Sequence, residues 1–293
     1  MFSRSIDHAV HLVLVLCVVI TILTTVIVVG LLGKESFLFF QQVPVWDFLF
    51  GTRWEPLLEP KSFGVLPLVV GTLKIVFGSI VIALPLGLMI ATYLSEFAST
   101  RFRSIIKPVL EVLAGIPTVV YGYFALTFVT PILRTLFPDT QIFNAASAAI
   151  VVGIMILPMI SSLCDDAFQS LPNSLREGAY ALGATQFEVA AQVILPSAAA
   201  RVGAAVILAL SRAIGETMAV TLAAGATPQM SLGFLESIQT MTAYIVQVSL
   251  GDIPAGGIEY QTCYAVGLLL FLMTLVMNVI GNHFITQSRK IHQ

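Results

Sequence analysis

Six apolar runs, each long enough to cross a bilayer as a helix, constrain this chain more than any other feature. They lie at about residues 8–33, 64–93, 109–133, 142–163, 198–225 and 261–285. A hydrocarbon core of about 30 Å takes about 20 helical residues to span, and inside it every backbone polar group must find its partner within the protein. Composition agrees: 57% of the residues are hydrophobic and 10% charged, against about a quarter charged in water-soluble domains. The expected fold class is an all-α polytopic membrane protein with six transmembrane helices.

The run at 8–33 has no Asp, Glu, Lys or Arg, is too long for the apolar part of a signal peptide, and precedes no small-residue cleavage pattern. It reads as a retained span. Lys34–Ser62 then mixes Trp46, Trp54 and several Phe with charges, the composition of a membrane–water interface. The lysines and arginines orient the chain. With both termini in the cytoplasm, Arg4, Arg101, Arg103, Lys107, Arg176, Arg201, Arg289 and Lys290 lie inside, and only Lys34, Arg53, Lys61 and Arg134 outside, as the positive-inside rule requires. Segment 165–196 therefore faces the cytoplasm. Lys74, inside the second run, reads as snorkelling toward the outer surface.

Other chemistry is sparse. Cys17, Cys164 and Cys263 have no CxxC spacing and read as small buried hydrophobes. His8, His11, His283 and His292 have no carboxylate or cysteine at ligand spacing, so no metal is expected. Asp165 and Asp166 are adjacent rather than facing, and no nucleophile–base pair stands out, so the chain is not expected to be an enzyme. A phosphate-binding loop is also missing: Gly33-Lys34-Glu35 lacks the upstream glycine and the Ser/Thr. No cofactor is expected here, and any ATP must bind a partner chain.

Two stretches carry the functional signal. In Ser174–Pro196, Ser174 with Glu177 and Thr185 with Glu188 each have capping-box spacing, and Gly183 between them suits a left-handed turn. Leu175, Ala179 and Leu182 form one apolar side; Phe187, Ala190, Ala191 and Ile194 form another. Pro196 suits the first turn of the next span. That span carries Arg212 and Glu216, and a charge at bilayer depth costs about 2.5–3.5 kcal/mol on insertion scales. Four apart, the two are expected on one helix face, either as a self-neutralising pair or as an anion site. Arg212 offers forked donors to a tetrahedral oxyanion. Glu216 can accept the proton of hydrogen phosphate, whereas sulfate has none to give. Pro117 interrupts the third span, either as a packing kink or as a break bordering the path.

Glu177-Gly178-Ala179, then Gly183, then Val193-Ile194-Leu195-Pro196 resembles the cytoplasmic coupling loop of ABC-importer permeases: E-A-A, three residues, G, nine residues, I-x-L-P. The spacing is intact, with Gly178 and Val193 departing mildly. SRAIGETMAV (Ser211–Val220), LEVLAGIPTVVYGYFAL (Leu110–Leu126), FGVLPLVVGTL (Phe63–Leu73) and TAYIVQVSLGDIP (Thr242–Pro254) resemble the PstC-type permeases of bacterial phosphate ABC importers, and the likeness covers about residues 48–287. It implies a high-affinity inorganic phosphate importer in the bacterial inner membrane, built with a PstA-type companion permease, a PstB-type ATPase dimer and an extracytoplasmic phosphate-binding protein. Spans two to six would form the five-helix type I core (64–293), with 1–63 an addition. Loop 165–196 would engage the ATPase through Glu177, Ala179, Gly183, Glu188, Leu195 and Pro196, and Arg212, Glu216 and Pro117 would border the path. The alternatives are a permease for molybdate or sulfate, and a gradient-driven transporter needing no coupling loop.

Overall fold

The computed structural model describes the backbone of residues 2–254 and 256–291 and the side chains of 10–254, 256–281 and 283. The side chains of Arg4, His8, Arg289, Lys290 and His292 lie outside that description. The first helices are α1 (Phe2–Phe40) and α2 (Val45–Phe50), then α3 (Leu66–Thr92), α4 (Thr100–Ala114), α5 (Thr118–Phe124) and α6 (Thr130–Leu136). They are followed by α7 (Ala145–Gln169), α8 (Asn173–Ala181), α9 (Gln186–Glu188), α10 (Leu195–Ile214), α11 (Met218–Ala223), α12 (Met241–Leu250) and α13 (Ile258–Ile291). Wider π-helical turns at Tyr93–Phe97, Ala125–Val129 and Val189–Ile194 extend α3, join α5 to α6 and join α9 to α10. Between α2 and α3, strands β1 (Trp54–Glu55) and β2 (Ser62–Phe63) pair antiparallel.

Six helical stretches among the described residues are long and apolar enough to cross a bilayer: Val10–Phe40, Leu66–Phe97, Thr118–Leu136, Ala145–Gln169, Gln186–Ile214 and Ile258–Gly281. The fold is thus an all-α polytopic membrane protein. The first span is exposed along its apolar length, as a lipid-facing helix should be. Thr21, Thr24 and Thr25 turn their hydroxyls back to carbonyls of their own helix, so these three donors are not left bare in hydrocarbon.

Two spans differ from the sequence expectation, both because helices break. The third does not begin near Val109. α4 is a separate helix whose N-cap Ser99 accepts from the Phe102 N–H, and it stops at Gly115. Pro117 adopts φ −57°, ψ 135° and precedes the first residue of α5, so it starts a span rather than kinking one. Proline lacks an N–H for a helix interior and disfavours helix in the residue before it. Tyr121 Oη then donates to the Leu113 carbonyl at 2.9 Å, joining the two helices across the break. The fifth span begins at Gln186, ends at Ile214, and is separated from α11 by Gly215–Thr217.

The main core is made by α3, α7, α10 and α11, with Ile75, Val152, Ile156, Ile160, Ala209 and Ala219 fully or nearly buried. Small residues set the approach: a Cβ added at Gly153 would lie 3.1 Å from the Ser79 carbonyl, and one at Gly122 would lie 2.9 Å from Leu222. Close backbone contact of this kind replaces the hydrophobic drive that lipid does not supply. A second cluster joins Phe39, Phe48 and Trp54 to Leu68, Met241, Tyr244 and Val266, with Trp54 edge-on to Tyr244 at 4.8 Å.

The segment after α11 is more structured than its Gly/Pro content suggests. Gly225 (φ +96°) turns the chain back, and residues 226–240 run without helix against α3 and the start of α7. The Glu236 and Phe234 carbonyls accept from Ala145 and Ala146 at 3.1 and 2.8 Å, two of the N–H groups that the first turn of α7 leaves without helical partners.

Candidate functional site

The segment after the fourth span is two short helices with a defined turn. α8 starts at Asn173, after Pro172, with no side-chain cap; Ser174 does not close the box its spacing suggested, because the helix begins one residue earlier. Gly183 does hold the left-handed turn (φ +84°). Its N–H reaches the Tyr180 carbonyl at 2.9 Å and the Ala184 N–H reaches Ala179 at 3.1 Å, the paired bonds of a Schellman cap. The second capping box is present: Thr185 and Glu188 bond reciprocally, with the Thr185 N–H 2.7 Å from Glu188 Oε2. Glu188 is thereby used locally, whereas Glu177 is exposed.

The two apolar sides divide unequally. Ala179, Ala190 and Ile194 pack inward and Leu195 is half-buried, while Ala191 and Pro196 are exposed. Leu182 and Phe187 stand 90% and 71% exposed, with Leu175 and Tyr180 beside them. Glu177 is exposed on the same helix pair.

Sequence reasoning missed what fixes this helix pair. Arg176 grips Glu96 with two bonds, Nη2–Oε1 at 2.7 Å and Nε–Oε2 at 3.1 Å, and its Nη2 also reaches the Phe168 carbonyl. The hydrogen bond to Glu96 outweighs partial burial and holds Arg176 above its ordinary pKa. Gln186 reaches the Glu96 carbonyl, so α8 and α9 both hang on the π-helical end of the second span. The detectable signal was a lone acid and a lone base at span ends on one side of the membrane. Next to it, Asp165, 0% exposed, takes Arg103 at 2.8 Å and Lys107 at 3.0 Å, tying α4 to α7. Burial alone would lower the Lys107 pKa, but the hydrogen bonds it donates to Asp165 and Asp166 hold it above the usual value. Removing one partner of a buried charge pair costs about 3–5 kcal/mol. Arg176→Ala should therefore free α8, and limited proteolysis between 170 and 186 should be at least tenfold faster than in the parent, with Arg176→Lys in between.

Arg212 and Glu216 do not share a helix face. Arg212 sits in the last turn of α10, where a cation suits the helix dipole, and is exposed. Among the described residues it makes no hydrogen bond or ion pair. Glu216 lies beyond the break at Gly215 and is 6% exposed. Its Oε1 accepts from the Ala219 N–H at 3.2 Å, its backbone carbonyl accepts from Thr242 Oγ1 at 2.7 Å, and Oε2 accepts nothing among the described residues. The self-neutralising pair is not formed. Glycine, a carboxylate that can cap the next helix and a poor helix-former (Thr217) made the break readable. Non-helical backbone at membrane depth is tolerated where it is buried in protein or lines a wet cavity. α5, beginning after Pro117, packs its Gly122 on α11 just past this break. Among the described residues no three His, Cys, Asp or Glu side chains gather as a metal site would need.

Residues 83–290 match the family described as binding-protein-dependent transport system inner membrane component. The probable ABC transporter permease protein YqgH of Bacillus subtilis is 33% identical over 284 residues, covering 96% of this chain and 91% of the relative. The phosphate transport system permease protein PstC of Mesorhizobium japonicum is 32% identical (82% and 78% covered), and that of Haemophilus influenzae is also 32% identical (83% and 82%). Among solved structures, the bacterial alginate ABC transporter in complex with an alginate pentasaccharide-bound periplasmic protein aligns with TM-score 0.66 at 18% identity, over 95% of this chain and 94% of that one. The MetNI methionine ABC transporter aligns with TM-score 0.56 at 17% identity, over 77% and 94%; at such identity both likenesses speak for the fold. These matches place the chain in the family of binding-protein-dependent inner-membrane transport components and, within it, among the PstC-type permeases.

Proposed function

We propose that the chain is one of two permease subunits of an ATP-driven importer of inorganic phosphate, lining half of the path and receiving mechanical work from a separate ATPase. The observation that carries the reading is Arg212: a guanidinium without a partner among the described residues, at the end of an apolar helix that breaks in the next residues. A buried site would leave such a cation uncompensated; a tetrahedral oxyanion offers it a bidentate acceptor. Glu216, close along the chain with one carboxylate oxygen unengaged among the described residues, supplies an acceptor for the proton of hydrogen phosphate. One arginine is too few for a divalent anion, and a PstA-type companion permease is the source of the rest.

The cytoplasmic face built on Glu177, Ala179, Gly183 and Glu188, entering α10 at Leu195 and Pro196, is the seat of a PstB-type ATPase dimer, where ATP binds; this chain itself carries no cofactor. Both termini lie in the cytoplasm of a bacterial inner membrane, residues 64–293 form the transporting unit with 1–63 an addition, and an extracytoplasmic phosphate-binding protein loads the outer side. Pro117, by starting α5 beside α11, shapes the same path. The assay that tests the cargo is uptake of labelled phosphate by the whole transporter with tenfold excess sulfate or molybdate. Undiminished uptake is expected, and suppression by either would assign the site to another oxyanion.

A further inference from the structure

Lys74 does not snorkel. Its side chain, in α3, is 8% exposed, and its ammonium donates to the carbonyls of Ser231 and Gly233 at 2.5 and 2.8 Å. It also lies 5.6 Å from the centre of the Phe234 ring. The same helix has glycines where the segment comes closest: a Cβ at Gly71 would strike the Gln239 carbonyl, and one at Gly78 would lie 3.0 Å from Phe234. Gly78 is about 18 Å along α3 from Leu66 at 1.5 Å per residue. Segment 226–240 is therefore a re-entrant plug in the outer half of the bundle rather than a surface loop.

Three features distinguish a latch from a fixed strut. Lys74's acceptors are neutral carbonyls, a weaker hold than an ion pair; Glu236, the acid in this segment, is instead within 3.3 Å of Gln229 Nε2. The plug has no helix of its own, and its tip is exposed, Leu232 by 88% and Met230 by 45%. Its C-terminal end runs into α12, where the Met241 N–H donates to Thr72 Oγ1 at 3.1 Å and Thr242 Oγ1 donates to the Glu216 carbonyl. The plug is thus joined to the elements after the Gly215–Thr217 break, through α12 and through the Ile238 N–H, which donates to the Ala224 carbonyl at 2.9 Å.

We propose that residues 226–240 form the outer gate of the path and that Lys74 is the positioning residue that latches it shut. Lys74 acts on the gate, not on the cargo. The role rests on the reading that this chain lines a path open in turn to the outside, but its test does not depend on what is carried.

The test is labelling of a single cysteine by a membrane-impermeant maleimide applied from outside, in the assembled transporter with Cys17, Cys164 and Cys263 replaced by alanine. Ile238, 0% exposed in the plug, is the reporter; Leu232→Cys reports the exposed tip, and Ala265→Cys, at a buried site on α13, reports general loosening. Lys74→Met should speed labelling of the Ile238→Cys protein at least tenfold and leave the other two rates unchanged, and Lys74→Arg should restore the slow rate. An unchanged Ile238→Cys rate in assembled Lys74→Met transporter, or an equal rise at Ala265→Cys, overturns the latch. Phosphate uptake is not read in this assay, so a wrong cargo assignment leaves its outcome intact.

Discussion

Replacing Arg212 by glutamine should lower phosphate uptake at least hundredfold while the transporter still assembles. Two charge-assisted bonds to an oxyanion, at about 1.5–3 kcal/mol each, exceed the 2.8 kcal/mol or so that a hundredfold loss requires. The fold has little at stake. Arg212 is exposed and has no partner among the described residues, so removing it forfeits only the favourable position near the end of α10, about 0.3–1 kcal/mol. Arg212→Lys keeps the charge without the planar fork and should retain a small fraction of uptake. Uptake of radiolabelled phosphate, measured beside copurification of the other subunits, separates a lost site from a lost assembly. Parental uptake by the glutamine variant would remove Arg212 from the path.

The second large effect is expected at Gly183. Its φ of +84° costs a residue with a Cβ about 1–2 kcal/mol, more for a β-branched one. Space is not the obstacle, because a Cβ there meets nothing within 4 Å; the penalty is purely conformational. Gly183→Val should open the Schellman turn, swing α8 away from α9 and misplace Leu182 and Phe187. Phosphate uptake should fall at least tenfold while ATP hydrolysis by the complex persists, both read on the same vesicles. Gly183→Ala should do the same more weakly. If both activities fell in proportion, the turn would serve assembly rather than the transfer of force.

How far the sequence led depended on whether the physics was local. Span lengths, the Thr185–Glu188 box and the left-handed glycine at 183 follow from neighbours a few residues apart, and they were readable. The helix breaks at Gly115–Pro117 and Gly215–Thr217 were half readable: proline and glycine marked them, but only packing decides whether an apolar run continues through. Extending one helix across Gly215 put Glu216 on the face of Arg212, where it is not. The contacts holding the cytoplasmic segment in place join residues far apart in the chain, Arg176 with Glu96 and Asp165 with Arg103 and Lys107. Their charges counted toward orientation while their pairing stayed hidden. Lys74 was misread for the same reason: its acceptors are backbone carbonyls more than 150 residues away, and no side-chain pattern announces them.

The central claim is that force applied to the cytoplasmic helix pair drives an oxyanion past the break in the fifth span. Its most direct test is phosphate accumulation by vesicles containing the complete transporter and its binding protein, with ATP supplied on the face bearing residues 173–196 and all ion gradients collapsed. The account predicts concentrative uptake that stops when ATP is withheld. Accumulation driven by a proton or sodium gradient without ATP would contradict it.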